Sequence, residues 1–264
     1  MNQSPLQNVD NALREFTTHA LADLDDLKLM DRVDSKFVVP AELLPFLLQE
    51  SQRQYSLLSI DGVVRSDYLN VYFDTDGFDY YLMHHNGKLN RVKVRHRHYV
   101  DTGTAFLELK FKNNKGRTLK TRVQADLDAD KAIVEHRDFL SDHGIAQQCN
   151  LRPCQISSYQ RICLASQSIG ERITIDTKPS FVASDSGAKV VLDDAIIIEI
   201  KQPRIDRQSP FYRLVRSLGL RPQSFSKYCV GVSLTMQDRI KTNRFQRDIR
   251  KVAKFSNSLR TITV

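Results

Sequence analysis

Tryptophan is absent from this 264-residue sequence, and glycine and proline are scarce, at ten and eight. So few backbone breakers leave no room for a long low-complexity linker, and no internal repeat is visible. One large domain, or one domain with appendages, is expected. No apolar run approaches the roughly 20 residues that span a bilayer. The opening Met-Asn-Gln-Ser-Pro-Leu-Gln lacks the basic and apolar regions of a signal peptide, which reads as a cytoplasmic protein. Cys149, Cys154, Cys163 and Cys229 form no Cys-x-x-Cys pair and have no histidine companions. That excludes a zinc site and predicts free thiols, buried or half-buried. With no zinc finger and no aromatic-rich pair of RNA-binding strands, nucleic acid is not an expected partner either.

What the chain does have is positive charge, a formal +8 unevenly spread. From Asp238 onward eight Lys or Arg face two Asp, so this stretch supplies +6 and leaves +2 for the rest. The arrangement of cations in the body is therefore more informative than their number. From Arg91 to Tyr99 the residues Arg91, Lys93, Arg95, Arg97 and Tyr99 alternate with Val92, Val94, His96 and His98. In a strand all five of the first set project from one face. Four cations over roughly 20 Å, at about 3.3 Å per residue, repel one another with no carboxylate in the run to offset them. Something anionic is expected opposite. His96 and His98 lie on the other face, which suits structural roles.

The same alternation recurs. Ala105 to Lys112 puts Glu108, Lys110 and Lys112 on one face and Leu107, Leu109 and Phe111 on the other. After an Asn113 to Gly116 turn, Thr118 to Ala125 returns with Lys120 and Arg122 together, making a hairpin with one charged side. Strands are also expected from Met30 to Pro40 with Asp34 and Lys36 in phase, and at Tyr68 to Asp74. Three more follow: Gln155 to Leu164 with Tyr159, Arg161 and Cys163, Glu171 to Thr177 with Arg172, Thr174 and Asp176, and Lys189 to Lys201 with Ile197, Glu199 and Lys201. Helices are predicted at Val9 to Asp25, Ala41 to Ser51 with Pro45 in the first turn, and Ala129 to His143 closed by Gly144. Two others run from Ser209-Pro210 to Gly219 and from a Ser226 cap to Met236. Asp76-Gly77 and Asn86-Gly87 are turn signals flanking Tyr80 to His85.

A single charged face is ordinary for a strand with one wet side. Six strands sharing it, with Lys and Arg in excess, fit a sheet that closes into a barrel under the helices. Its apolar faces turn outward and its cations line the interior. A cationic interior is costly to hold without a partner, and a polyphosphate, or phosphate with a divalent metal, would offset that cost. Glu199, a lone carboxylate among isoleucines, reads either as an ion-pair partner for a neighbouring Lys or as a metal ligand. Asp34 and Asp176 read as anchors for the cations.

Nine segments occur in order that resemble the catalytic domain of the vacuolar transporter chaperone (VTC) polyphosphate polymerases, members of the triphosphate tunnel metalloenzymes. They are Asp34-Ser-Lys-Phe, Tyr72-Phe-Asp-Thr, Arg91-Val-Lys-Val-Arg-His-Arg-His-Tyr, Phe106-Leu-Glu-Leu-Lys, Gly116-Arg-Thr-Leu-Lys-Thr-Arg, Tyr159-Gln-Arg, Arg172-Ile-Thr-Ile-Asp-Thr, Ile198-Glu-Ile-Lys and Phe225-Ser-Lys-Tyr. The resemblance divides the chain into an N-terminal helix (1–27), the tunnel domain (28–236) and a basic tail (237–264). It implies an α+β fold, an antiparallel β-barrel with helices packed around it, and transfer of the γ-phosphate of ATP to a growing inorganic polyphosphate or pyrophosphate acceptor, with release of ADP. Lys36, Arg95, Arg97, Lys110 and Arg161 would be catalytic. Arg91, Lys93, Lys120, Arg122, Tyr159, Arg172, Lys201, Ser226 and Lys227 would bind substrate. Glu199 would hold Mn2+ or Mg2+, with Glu108 open between metal ligand and ion-pair partner. One departure is Ser224, where the family usually has a basic residue. Family members' SPX and membrane domains have no counterpart in the sequence, so any membrane coupling would come from a separate membrane protein. The same tunnel also serves triphosphate or nucleoside triphosphate hydrolysis, or a non-catalytic polyphosphate sensor.

Overall fold

The computed structural model describes residues 5–23, 33–114, 118–145 and 150–255. The chain enters through α1 (Pro5–Arg14) and a two-residue strand, β1 (Thr18–His19). The expected helix to Asp25 thus ends early. Phe16 turns into the core, and the β-branched Thr17 and Thr18 go extended, so that β1 can pair in parallel with the later strand at residues 56–58. Leu21, within the expected helix, is exposed, and Leu24 lies outside the described residues.

β2 (Val33–Pro40), α2 (Leu44–Ser51) and β3 (Ser56–Leu58) follow, with Pro45 at the start of α2 where its missing N–H costs nothing. Met30 to Arg32, the start of the expected strand, lie outside the described residues. β4 (Ser66–Asp74) leads into α3 (Asp79–His85), whose first amides donate to the buried Asp74 carboxylate from Tyr80 and Tyr81. β5 (Arg91–Tyr99), β6 (Thr104–Lys112) and β7 (Thr118–Ala125) form the predicted charged meander, with Lys115 and Gly116 of its turn outside the described residues. The single helix expected from Ala129 to His143 is two, α4 (Ala129–Glu135) and α5 (Arg137–Asp142). They break at His136, where ψ reaches 32°.

β8 (Arg152–Ser166) and β9 (Glu171–Ala183) are longer than their alternation suggested. The expected strand from Lys189 to Lys201 divides into β10 (Lys189–Val191), paired with the end of β9, and β11 (Ala195–Gln202), paired with β2 and the start of β9. α6 (Pro210–Ser217), α7 (Lys227–Thr235) and α8 (Gln246–Phe255) complete the chain. Ser209 precedes α6 as predicted, but its hydroxyl receives Gln202 Nε2 at 3.0 Å rather than a helix amide. The basic tail is helical as far as α8, whose Ile249 and Val252 pack against Val38 and Phe181 while Arg250 and Lys254 face solvent. No helix among the described residues is long and apolar enough to cross a membrane.

The main sheet is antiparallel, with neighbours in the order β2-β11-β9-β8-β4-β5-β6-β7. Its two end strands, β2 and β7, are not hydrogen-bonded to each other, so the barrel wraps without a closed ladder. The wrapping is evident because Lys36 of β2 and Lys120 of β7 line one cavity. The convex face carries the apolar set. Phe37, Val39, Ile173, Ile175, Ile196, Ile198 and Ile200 pack under α2 and α6, while Val94, Leu107 and Leu109 pack under α3 and α5. Cys154 and Cys229 are buried and Cys163 is half-buried, all three free; Cys149 lies outside the described residues.

α7 lies on the concave face and fills it at one end, with Tyr228, Cys229 and Val232 against Tyr72, Cys154 and Ala183. This close approach depends on Gly231. A Cβ there would stand 2.7 Å from Gln155 Nε2 and 2.7 Å from Phe181 Cδ1. Gly231→Ala is accordingly expected to destabilise the protein by about 1–3 kcal/mol through overpacking, measurable by urea denaturation. A change within 0.5 kcal/mol would mean that α7 sits loosely.

Candidate functional site

Where α7 begins, the concave face encloses a cavity of about 180 Å³. Nine cations line it: Lys36 from β2, Lys93, Arg95 and Arg97 from β5, Lys110 from β6, Lys120 from β7, Arg161 from β8, Lys201 from β11 and Lys227 from α7. Three carboxylates join them, Asp34, Glu108 and Glu199. The alternation seen in the sequence is the cause. One face of each strand points inward, and wrapping brings those faces together. A larger open groove of about 400 Å³ between α2 and α6, lined by Glu50, Tyr55, Phe211 and Arg213 among others, has no such charge.

Two carboxylates organise the cations. Glu108, 2% exposed, takes Arg95 Nε at 3.0 Å and Lys120 Nζ at 2.5 Å, with Arg97 Nε at 3.9 Å. Burial alone would keep this carboxyl protonated, but Arg95, Arg97 and Lys120 overcome it and hold the pKa well below the usual range. Glu108 is thereby committed to cations. Asp176, equally buried, accepts Arg161 through Nε at 2.6 Å and Nη2 at 2.9 Å, and also pairs with Lys227. Burial is again overridden, here by Arg161 and Lys227, and the carboxyl stays ionised. The fork geometry fixes the guanidinium plane and leaves its remaining N–H groups for the lumen.

The start of α7 closes the cavity floor. Ser226 accepts Cys229 N at 3.2 Å as N-cap and receives Lys93 Nζ at 2.7 Å. Lys36 Nζ donates to Phe225 O at 3.2 Å, so the 225–227 segment ties β2, β5 and β9 together at a helix N-terminus, where anions are favoured.

Glu199 is the group to test for a divalent cation. Its Oε1 lies 3.7 Å from Lys36 Nζ and its Oε2 3.5 Å from Lys201 Nζ. Burial opposes its ionisation, Lys201 and Lys36 overcome that, and its pKa falls well below normal with Asp34 close enough for a hydrogen bond. Two adjoining carboxyls in a cationic cavity suit a hard cation that prefers oxygen. No group of three Asp, Glu, His or Cys side chains placed to hold a metal ion exists among the described residues, so phosphate oxygens and water would complete the shell, the usual Mg2+ arrangement.

Several lysines are strained electrostatically. Burial, with Lys36 and Lys93 beside it, pulls Lys110 down to about 7. Burial pulls Lys93 down to about 8, with Lys36, Arg91 and Arg95 adding to it. Burial likewise takes Lys120 to about 8 against the attraction of Glu108. Lys110 and Lys120 keep exposed surface, which softens both the desolvation and, through solvent screening, the repulsion. An arriving polyanion restores their protons. Affinity for inorganic tripolyphosphate is therefore expected to fall as pH rises from 7 to 9, with proton uptake on binding, which calorimetry in buffers of different ionisation heat measures. Binding that is flat over this window would show that the lysines are fully charged without ligand.

Of the candidate residues, Lys36, Lys93, Arg95, Arg97, Lys110, Lys120, Tyr159, Arg161, Lys201, Ser226, Lys227 and Glu199 share this lining. Arg91, Arg122 and Arg172 share its inward parity but lie outside it. Arg91 donates through Nη1 to Lys88 O at 2.8 Å, and Arg122 lies over the Phe106 ring at 4.4 Å. Arg172, half-buried, is paired in register with Lys201 and Ala165. His96 is buried on the opposite face, with Nε2 2.8 Å from Asp126 O. Sequence reasoning passed over Tyr72, Ile197 and Phe225 as lining. Tyr72 shares the inward parity of β4 but stood unmarked because no cation accompanies it.

A family model described as VTC domain matches residues 31–236. Among solved structures, a candidate adenylate cyclase of Bacillus halodurans is similar with a TM-score of 0.50 and 16% identity, over 75% of this chain and 96% of its own. A candidate adenylyl cyclase of Hippeastrum, described as having a dominant triphosphatase activity, is similar with a TM-score of 0.50 and 14% identity, over 78% of this chain and 97% of its own. At these identities the likeness is one of fold. No curated protein matches the chain.

Proposed function

This chain belongs to the VTC domain family, and from that premise we propose that it is a metal-dependent polyphosphate polymerase, moving the γ-phosphate of ATP to a polyphosphate chain with release of ADP. The observation that carries the reading is the convergence of nine cations from seven elements on one cavity with three carboxylates. Phosphoryl transfer asks little covalent chemistry of a protein. It asks that charge be neutralised and that entering and leaving oxygens be held in line. Arg95, Arg97 and Arg161, fixed by Glu108 and Asp176, would grip successive phosphates, and Lys36, Lys110 and Lys201 would neutralise the group in flight. Ser226 and the first amides of α7 would hold the phosphate at the floor. Glu199 with Asp34 would hold Mn2+ or Mg2+, which would supply further neutralisation of phosphate charge. The gap between β2 and β7, beside the exposed Lys110 and Lys120, offers a cationic way out for a lengthening chain.

One observation favours hydrolysis as the second reading: α7 fills one end of the concave face, and water needs no second channel. Incubation with ATP and manganese, magnesium or no metal separates the two. A ladder of polymer with ADP supports the polymerase, whereas phosphate release without chain growth replaces it with a triphosphatase. Tight polyphosphate binding without turnover under any metal would leave only a sensor. Glu199→Gln is expected to lower turnover about 10²-fold or more at a fixed metal concentration, by analogy with the loss of one preorganised charge contact, while tripolyphosphate still binds. Unchanged metal dependence in that variant would move the metal elsewhere.

A further inference from the structure

Beyond Arg97, at the end of the lumen away from α7, the inward faces of β5 and β6 stop being charged and become aromatic at Tyr99 and Phe106, and Tyr68 of β4 joins them. Tyr68 lies flat on Tyr159, with centroids 5.3 Å apart and planes 10° apart. Tyr99 stands 5.1 Å from Tyr68 and 5.9 Å edge-on to Phe106. Arg97 reaches over both Tyr68 at 5.2 Å and Tyr99 at 5.9 Å, so the rings adjoin the cations that line the cavity. Arg122 covers the Phe106 ring at 4.4 Å. Tyr99 and Phe106 are only half-buried and Arg122, lying over Phe106, is exposed, so all three keep surface open to water.

We propose that Tyr99, Phe106 and Arg122 form a stacking platform for the base of a nucleoside triphosphate whose phosphates enter the cavity past Arg97. The inference rests on the triphosphate reading above and adds to it the part of the substrate that the cations cannot recognise. Tyr99 follows Arg97 by two residues, about 6.6 Å along the strand at 3.3 Å each, and Phe106 is directly opposite Arg97 in register. A molecule held by Arg97 through a phosphate therefore extends its uncharged end across these rings. Every base presents a π-face, and aromatic rings together with an arginine plane stack on it without reading its edges. At the other end the rings of Tyr72, Tyr81, Tyr228 and Phe245 are buried and offer no open face. There Lys93, Arg91, Arg244 and Lys112 crowd His84, which burial and these cations keep neutral, with a pKa near 2.

Binding of ATP and of inorganic tripolyphosphate is to be compared by calorimetry on the unaltered protein, Tyr99→Leu and Phe106→Leu, which retain apolar bulk but lose the π-face. The platform predicts about a tenfold loss of ATP affinity in each variant, the weight of one stacked ring, with tripolyphosphate unchanged. ATP affinity that is unchanged in both variants overturns the platform and leaves the triphosphate reading standing. Equal weakening of both ligands also overturns it, since the rings would then serve only to position Arg97. An unaltered protein that binds neither ligand overturns the proposed function and the platform together.

Discussion

Lys110→Ala is expected to lower turnover of ATP by about 10²- to 10³-fold, the cost of removing one preorganised charge at a developing anion, while the folded protein loses no stability. Among the described residues Lys110 has no ion-pair partner, in contrast to Arg95 and Arg161, which are held by Glu108 and Asp176. Burial and the neighbouring Lys36 and Lys93 already penalise its charge, with a pKa near 7. Deleting it relieves repulsion instead of orphaning a carboxylate, so unfolding free energy should stay within about 0.5 kcal/mol of the parent. Activity assay and urea denaturation read the two effects separately. If the variant turns over at the parental rate, Lys110 does not face the transferred phosphate. If it unfolds easily, its role is structural.

Asp176→Asn should do the opposite and strike stability first. The carboxylate is 2% exposed and serves two cations, Arg161 and Lys227, both with little exposed side chain. Removing one partner of a buried ionic group leaves the others uncompensated, at about 3–5 kcal/mol. For a chain of this length that is a fall in Tm on the order of 10 °C. Added tripolyphosphate should recover part of the loss, because it binds the folded form and supplies the missing negative charge. The parent should also show an acid dependence that the variant lacks. The Asp176 pKa is held below its ordinary value of 3.8. Its stabilisation is therefore complete above about pH 4 and lost as pH falls toward the depressed value. A variant as stable as the parent would mean that Arg161 and Lys227 are neutralised by other groups.

The role of Asp176 as an anchor was legible in the chain, since it shares a parity with Arg172 on a strand whose other face is Ile173 and Ile175. Glu108 was not, because parity placed it beside Lys110 without saying which strands would bring cations to it. Arg95 and Lys120 reach it from β5 and β7 on either side. α1 shows another limit. Its apolar spacing extended past Arg14, but pairing of Thr18 with Leu57 of β3 claimed the backbone. The break at His136 and the division of the strand between β10 and β11 are likewise tertiary, because neither is marked by Gly or Pro.

By itself the amino-acid order determined which side chains share a face, because alternation in a strand is local stereochemistry. That was enough to expect a cation-lined barrel and a phosphate ligand. Only the tertiary structure decided how far round the sheet wraps, that β2 and β7 stay unpaired, that α7 occupies one end, and that Arg91, Arg122 and Arg172 stand outside the cavity while Tyr72 lines it. Those outcomes depend on register, twist and helix docking, which are set by contacts between residues far apart in the chain and leave no period in the sequence.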